Sequence, residues 1–244
     1  MKSTQSLQRI HVILITFLAS RILLCDSLVS NQRKFCNLQL ERDLRQKGKD
    51  FLIGSDESGV GTIAGPVVAA SCCILTKNLD EYRPIEGVKD SKLLTPEERE
   101  TIYNILTNRT GEYAIHIGLR TNQEIDDTNI FQSTMNSLRE SIQGLITTND
   151  LPFEKCYCVV DGKRSPKLDD GFKGVVTCRP YVKADLEVYS VALASIIAKV
   201  TCDRIMKMEA HEQYPQYDFM NNLGYSSPKH IELLHKWGPS PLHR

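Results

Sequence analysis

Four acidic residues carry the chemistry that can be read from this chain: Asp56 and Glu57, Asp161, and Asp185. The first pair and Asp161 each close a short apolar run, and Asp185 stands between Lys183 and Glu187, just ahead of a long apolar segment. Any one of them alone reads as a solvated loop acid after a strand. Strand ends of an open α/β sheet are where ligand sites collect, and carboxylates gathered there repel one another unless a cation lies between them. Oxygen donors suit the hard ions Mg²⁺ and Mn²⁺. Two such ions roughly 4 Å apart can activate a water and stabilise the leaving oxygen of a phosphodiester.

The elements that must position these acids follow from pattern. Residues 51–56 and 155–161 are apolar runs ending on an acid, the signature of a buried strand. Residues 64–75 are rich in Val, Ala, Cys and Ile, residues 112–119 alternate with Tyr113, Ile115 and Ile117 on one face, and residues 174–181 supply a fifth strand. Thr95 followed by Pro96, Glu97 and Glu98 opens a helix with a cap, a first-turn proline and first-turn acids. Further helices are expected over 130–146 and 188–208, the latter mostly apolar in its first half and free of Gly and Pro. Strands grouped first and then alternating with helices give an α/β domain with a mixed sheet.

Gly59-Val60-Gly61 looks like the start of a dinucleotide fingerprint with Asp80 downstream, but that motif needs a helix after its glycines. Pro66 and the β-branched run behind it predict a strand instead, and Asp56-Glu57 would repel a pyrophosphate. The glycines suit close approach of backbone N–H groups to a sugar or phosphate.

The chain has 244 residues, 41% hydrophobic and 25% charged, ample for a globular core. With 30 basic and 30 acidic residues the total charge is zero, so nucleic-acid binding must rest on local basic clusters. Eight cysteines, none in a C-x-x-C pair, sit mostly in apolar runs, which predicts a reduced interior. Residues 1–50 form a distinct extension. Lys2 and Arg9 precede an apolar stretch broken by Arg21, with no acid before Asp26, as in a targeting leader. That pattern predicts delivery to an organelle; without it, cytoplasm or nucleus is expected. The charged stretch 41–50 reads as a solvated linker or exposed helix, placing the start of the ordered domain, 51–244, near Phe51.

Taken together, the runs DESGVGTIAGPV at 56–67, DSKLL at 90–94, VDG at 160–162 and VKAD at 182–185 resemble the ribonuclease HII family. ASIIAKV at 194–200, GYSSPKH at 224–230 and GPSPLHR at 238–244 continue the match in order. The resemblance implies an RNase H-like fold, a mixed five-stranded sheet flanked by helices, and metal-binding, catalytic roles for Asp56, Glu57, Asp161 and Asp185. A monomer with no membrane segment in the mature domain is expected. It further implies hydrolysis of the RNA strand of RNA–DNA hybrids and cutting on the 5′ side of ribonucleotides embedded in duplex DNA. Selectivity for RNA must read the 2′-hydroxyl, a task the family gives to backbone and tyrosine positions matching Gly59, Val60, Gly61 and Tyr225. Ser91, Lys92, Lys183 and Lys199 are the candidates for phosphate contacts. Asp203 and Arg204 are expected to form a structural ion pair near the site.

Two departures stand out. Val60 replaces the arginine of the family's glycine motif, removing a guanidinium that could grip phosphate. The chain also stops at Arg244, where a further basic segment is expected. These leave two other readings: a hybrid-binding module that does not cleave, and a different nuclease of the same broad fold.

Overall fold

The computed structural model describes residues 36–109 and 111–244; the leader expectation, with Cys25, lies outside them. The sheet starts from β1 (Phe51–Ser58), which pairs antiparallel with β2 (Val67–Ile74) and parallel with β4 (Cys156–Asp161). Beyond β2 lies antiparallel β3 (Tyr113–Arg120), and beyond β4 lies parallel β5 (Thr177–Tyr181). The order β3-β2-β1-β4-β5 is the mixed five-stranded sheet expected. Pro180 sits on the edge strand β5, where a missing N–H leaves no ladder bond unmade.

Both faces of the sheet are covered, so central strands β1 and β2 are buried in unbroken runs rather than at alternate residues. On one face, Leu138, Ile142, Leu145 and Ile146 of helix α4 (Ile130–Thr148) pack on Ile53, Ala69, Cys73, Cys158 and Val160. On the other, Leu193, Ile196 and Ile197 of helix α5 (Tyr189–Arg204) pack on Ala70, Cys72 and Ile74. Gly54 is what lets α5 approach β1 so closely: a Cβ there would stand 2.2 Å from the Ser190 carbonyl carbon. Two further helices lie between β2 and α4. These are α2 (Pro96–Asn108), opened by the expected Thr95–Glu98 capping box, and short α3 (Asn122–Asp127). Helix α6 (Pro228–Trp237) is followed by a segment that returns to the sheet side and bridges Ala64 through His243.

The start of the ordered part differs from expectation. Helix α1 (Gln39–Gln46) precedes β1, and the stretch read as solvated is half buried. Glu41 is 3% exposed and accepts hydrogen bonds from the Ser190 backbone N–H (3.0 Å) and hydroxyl (2.8 Å) at the start of α5. A carboxylate is a good acceptor for the unpaired amides of a helix start, so a charged residue serves here as an internal cap. The predicted 188–208 helix ends its α-helical course at Arg204 and continues as a π-type turn, Ile205–Ala210, that buries Met206. All seven cysteines among the described residues are free. No helix among the described residues is long and apolar enough to cross a membrane.

Candidate active site

Strands β1 and β4 run parallel, so Asp56 and Asp161 emerge at the same end of the sheet. The pleat also puts them on one face. Leu52 and Val159 belong to the α5-side core, and Asp56 and Asp161 follow at even spacing. A turn of 3₁₀ helix, Ala184–Leu186, brings Asp185 to them, entered through Lys183 in a left-handed conformation (φ 62°). One carboxylate oxygen from each of Asp56, Asp161 and Asp185 lies within 4.8 Å of the other two. The Ala184 N–H donates to Asp161 Oδ1 at 2.8 Å, tying the β4 end to this turn.

Glu57 lies outside that set of three. It leaves β1 on the opposite side of the pleat, the face used by Ile53 and by Ser55, whose hydroxyl bonds Ser71 and through it Ser141 of α4. Its backbone N–H donates to Asp56 Oδ1 at 2.8 Å. The charges of Asp161 and Lys92 still reach its carboxylate.

The electrostatics are those of a site waiting for positive charge. Burial pushes the Asp56 carboxyl well above the usual carboxylate range, and the charges of Glu57 and Asp161 push the same way. Burial and Asp161 raise Glu57 to about 7. Burial, Asp161 and Asp90 raise Asp185 to about 6. Burial works to lower the Lys92 ammonium, but Asp90, Asp56, Asp185 and Asp161 together outweigh it and raise it. Carboxyls this crowded and this poorly solvated shed their protons when a divalent cation replaces water around them. Hard oxygen donors alone make up the cluster, which fits Mg²⁺ or Mn²⁺ and not a thiolate-seeking ion.

Around the cluster the other expected residues divide. Ser91 is buried (4% exposed) and its hydroxyl bonds Ser195, which in turn hydrogen-bonds Asp56. It therefore braces a carboxylate and does not face solvent as a phosphate contact would. Lys92 and Lys183 are exposed. Lys199 is engaged with Asp203 at 2.7 Å and lies 5.3 Å from the centre of the Tyr225 ring, itself 41% exposed. The expected Asp203–Arg204 pair does not form: Asp203 meets Lys199 and Arg99 (3.8 Å), and Arg204 meets Glu100 at 2.5 Å. Successive helical residues point about 100° apart, whereas residues four apart face each other.

Gly59, Val60 and Gly61 form the turn after β1, with Val60 exposed and open space where a Gly61 side chain would stand. Gly59 adopts φ 92°, and a Cβ there would meet the Pro66 carbonyl oxygen at 2.3 Å, so no other residue fits. Residue Arg244 holds this turn. Its guanidinium donates to the carbonyls of Gly59 (3.0 Å), Thr62 (3.4 Å), Gly65 (2.9 and 2.6 Å) and Pro66 (2.9 Å). No local pattern signals that role, because the partners are main-chain atoms far away in the sequence. Asp90, Arg99 and Ser195 were likewise missed as parts of the site, although DSKLL and ASIIAKV contain the first and last of them.

The family model described as Ribonuclease HII matches residues 53–244. The chain is 36% identical over 206 residues to the ribonuclease HII of Caldicellulosiruptor bescii, covering 84% of this chain and 90% of that one. Among solved structures it is similar to the ribonuclease H2 of Pyrococcus horikoshii OT3, at 31% identity and TM-score 0.57, covering 80% of this chain and 92% of that one. It shares its fold with Bst-RNase HIII in complex with Mn²⁺, at 21% identity and TM-score 0.56, covering 80% of this chain and 65% of that one. With the sheet order, the carboxylate cluster and this agreement across nearly the whole described chain, the protein belongs to the ribonuclease HII family of divalent-metal-dependent RNase H endoribonucleases.

Proposed function

We propose that this chain hydrolyses the RNA strand of RNA–DNA hybrids and cuts on the 5′ side of a single ribonucleotide embedded in duplex DNA. The observation that carries the reading is the convergence of Asp56, Asp161 and Asp185, with oxygens within 4.8 Å of one another, at the end of a parallel strand pair. Mg²⁺ or Mn²⁺ bound by these three, with Glu57 alongside, supplies the positive charge that activates a water and stabilises the leaving oxygen. The protein's own part is orientation. Ser195 and the Glu57 N–H hold Asp56, and the Ala184 N–H holds Asp161, so the carboxylates are fixed before substrate arrives. Substrate choice falls to the Gly59–Gly61 backbone and the Tyr225 ring. A turn without side chains at its ends lets N–H groups approach a 2′-hydroxyl, and an exposed ring offers a flat apolar face to the sugar.

A binding-only module has no use for two buried carboxylates and a half-buried third gathered where a phosphate must lie. An end-labelled DNA duplex with one ribonucleotide, incubated with Mg²⁺ or Mn²⁺, tests the reading. Cleavage at the 5′ side of that ribonucleotide, leaving a 3′-hydroxyl, is expected. Cleavage only of all-DNA substrates would replace it with another nuclease activity.

A further inference from the structure

A groove of about 590 Å³ opens between α4 and the loop that leaves β4. It is lined by Phe131, Gln132, Asn136 and Arg139 of α4 and by Arg164 and Lys167 of the loop that leaves β4. Strand β3 is parallel to β1, since both run antiparallel to β2. Its C-terminal end therefore lies at the same end of the sheet as the acids, and α3 and α4 start from there. Arg164 follows Asp161 by three residues, so its Cα lies within about 11 Å of that of Asp161. The groove thus flanks the α4 side of the cleavage site, the side on which Glu57 leaves β1.

Its chemistry is cationic with an aromatic brace. The Arg164 guanidinium stands 5.1 Å from the centre of the Phe131 ring, which is 47% exposed. Stacking of this kind holds an arginine in one orientation while leaving its donor edge free. Lys167 is exposed, and Arg139 pairs with Asp169 at 3.5 Å on a solvated face, where a phosphate can compete for it. In a chain of zero net charge, this groove gathers three cations, one of them paired with an acid. Nucleic-acid strands present one negative charge per about 3.4 Å of helix axis, so a strand cut at Asp161 passes phosphates within reach of Arg164 two or three nucleotides away.

We propose that this groove is a phosphodiester-binding subsite, gripping the backbone of the substrate duplex a few nucleotides from the cut. The inference builds on the hybrid-cleavage reading, and its test is independent of cleavage. Binding of the full chain to a fluorescent RNA–DNA duplex is followed by anisotropy in chelator at several salt concentrations, for the wild type, Arg164→Ala/Lys167→Ala and Arg164→Lys. Both double-variant sites are on the surface, and an unchanged melting temperature confirms folding. The double variant is expected to bind about tenfold or more weakly, with the slope of log affinity against log salt reduced by about two. Arg164→Lys keeps most of the slope because it keeps the charge. Equal affinity and slope for wild type and double variant, or no duplex binding by the wild type, overturns the subsite. Salt-dependent binding that the double variant loses, in a protein that cleaves nothing with metal, would support the groove while refuting the catalytic reading.

Discussion

Replacing Asp185 by Asn removes one of three mutually repelling carboxylates while keeping its volume, and the metal-free protein should gain stability from the change. Asp185 is 5% exposed, and its carboxyl is raised from 3.8 to about 6 by burial, Asp161 and Asp90. A carboxyl with a raised folded pKa favours folding while it is protonated. That contribution is intact below pH 4 and is lost as pH rises through about 6. A rise of about two units is worth roughly 3 kcal/mol, and water entering the site in place of metal trims it to about 2 kcal/mol. In chelator at pH 8, Asp185→Asn should therefore melt roughly 4–8 °C above the wild type, at 2–4 °C per kcal/mol for a chain of this size. Near pH 4 the two should coincide. With Mg²⁺ at a hundred times its dissociation constant the wild type gains about 2.7 kcal/mol, and the variant, having lost a ligand, gains much less. Differential scanning fluorimetry at pH 4, 6 and 8, with and without Mg²⁺, measures all of this. A variant less stable than wild type in chelator at pH 8, or one stabilised equally by Mg²⁺, would refute the argument that these carboxylates are arranged for a cation.

Three other outcomes follow from the same geometry. Arg244→Ala frees the carbonyls of Gly59, Thr62, Gly65 and Pro66. Loosening of the glycine turn should cost about 10²-fold in kcat/KM on a single-ribonucleotide duplex, and less on a continuous hybrid, as parallel kinetics on the two substrates would show. Val60→Arg places a guanidinium on an exposed turn beside the site and should lower KM for the single-ribonucleotide duplex roughly tenfold; unchanged KM would mean the side chain at this position does not touch substrate. Finally, Ser240 N–H donates to His243 Nδ1, so His243 carries its proton on Nε2 and donates it to His230, which donates to the Tyr225 carbonyl. Burial and His230 lower the His243 pKa from 6.5. Stability from this relay is intact above pH 6.5 and is lost as pH falls below it, so melting temperatures should decline there in the wild type more than in His243→Gln.

The strand frame was legible because buried strands ending on acids leave a strong pattern: 51–56 and 155–161 became β1 and β4. So was the opening of α2, since Thr95 and Glu98 form a local motif. What escaped was decided by partners distant in sequence or by geometry within an element. Of the four acids expected together, Asp56, Asp161 and Asp185 each offer an oxygen within 4.8 Å of the others, and Glu57 leaves β1 on the other side of the pleat with its charge still acting on Asp56. Glu41 looked solvated because its partners are main-chain and hydroxyl groups of Ser190, 149 residues away. Arg244 looked like a basic end, yet it spends its donors on the glycine turn. The misassigned partner of Asp203 was within reach of sequence reasoning, because Lys199 stands four residues before it on a helix.

The central claim is that Asp56, Asp161 and Asp185 together hold the divalent cations that cut RNA paired with DNA. Its most direct test is the single-turnover cleavage rate of a labelled RNA–DNA hybrid by the wild type and by Asp161→Asn, each with Mg²⁺, with Mn²⁺ and with chelator. Cleavage by the wild type in metal, none in chelator, and a loss of about 10³-fold or more in the variant are expected. Cleavage that survives chelator, or a variant that cuts at the wild-type rate, would contradict the claim.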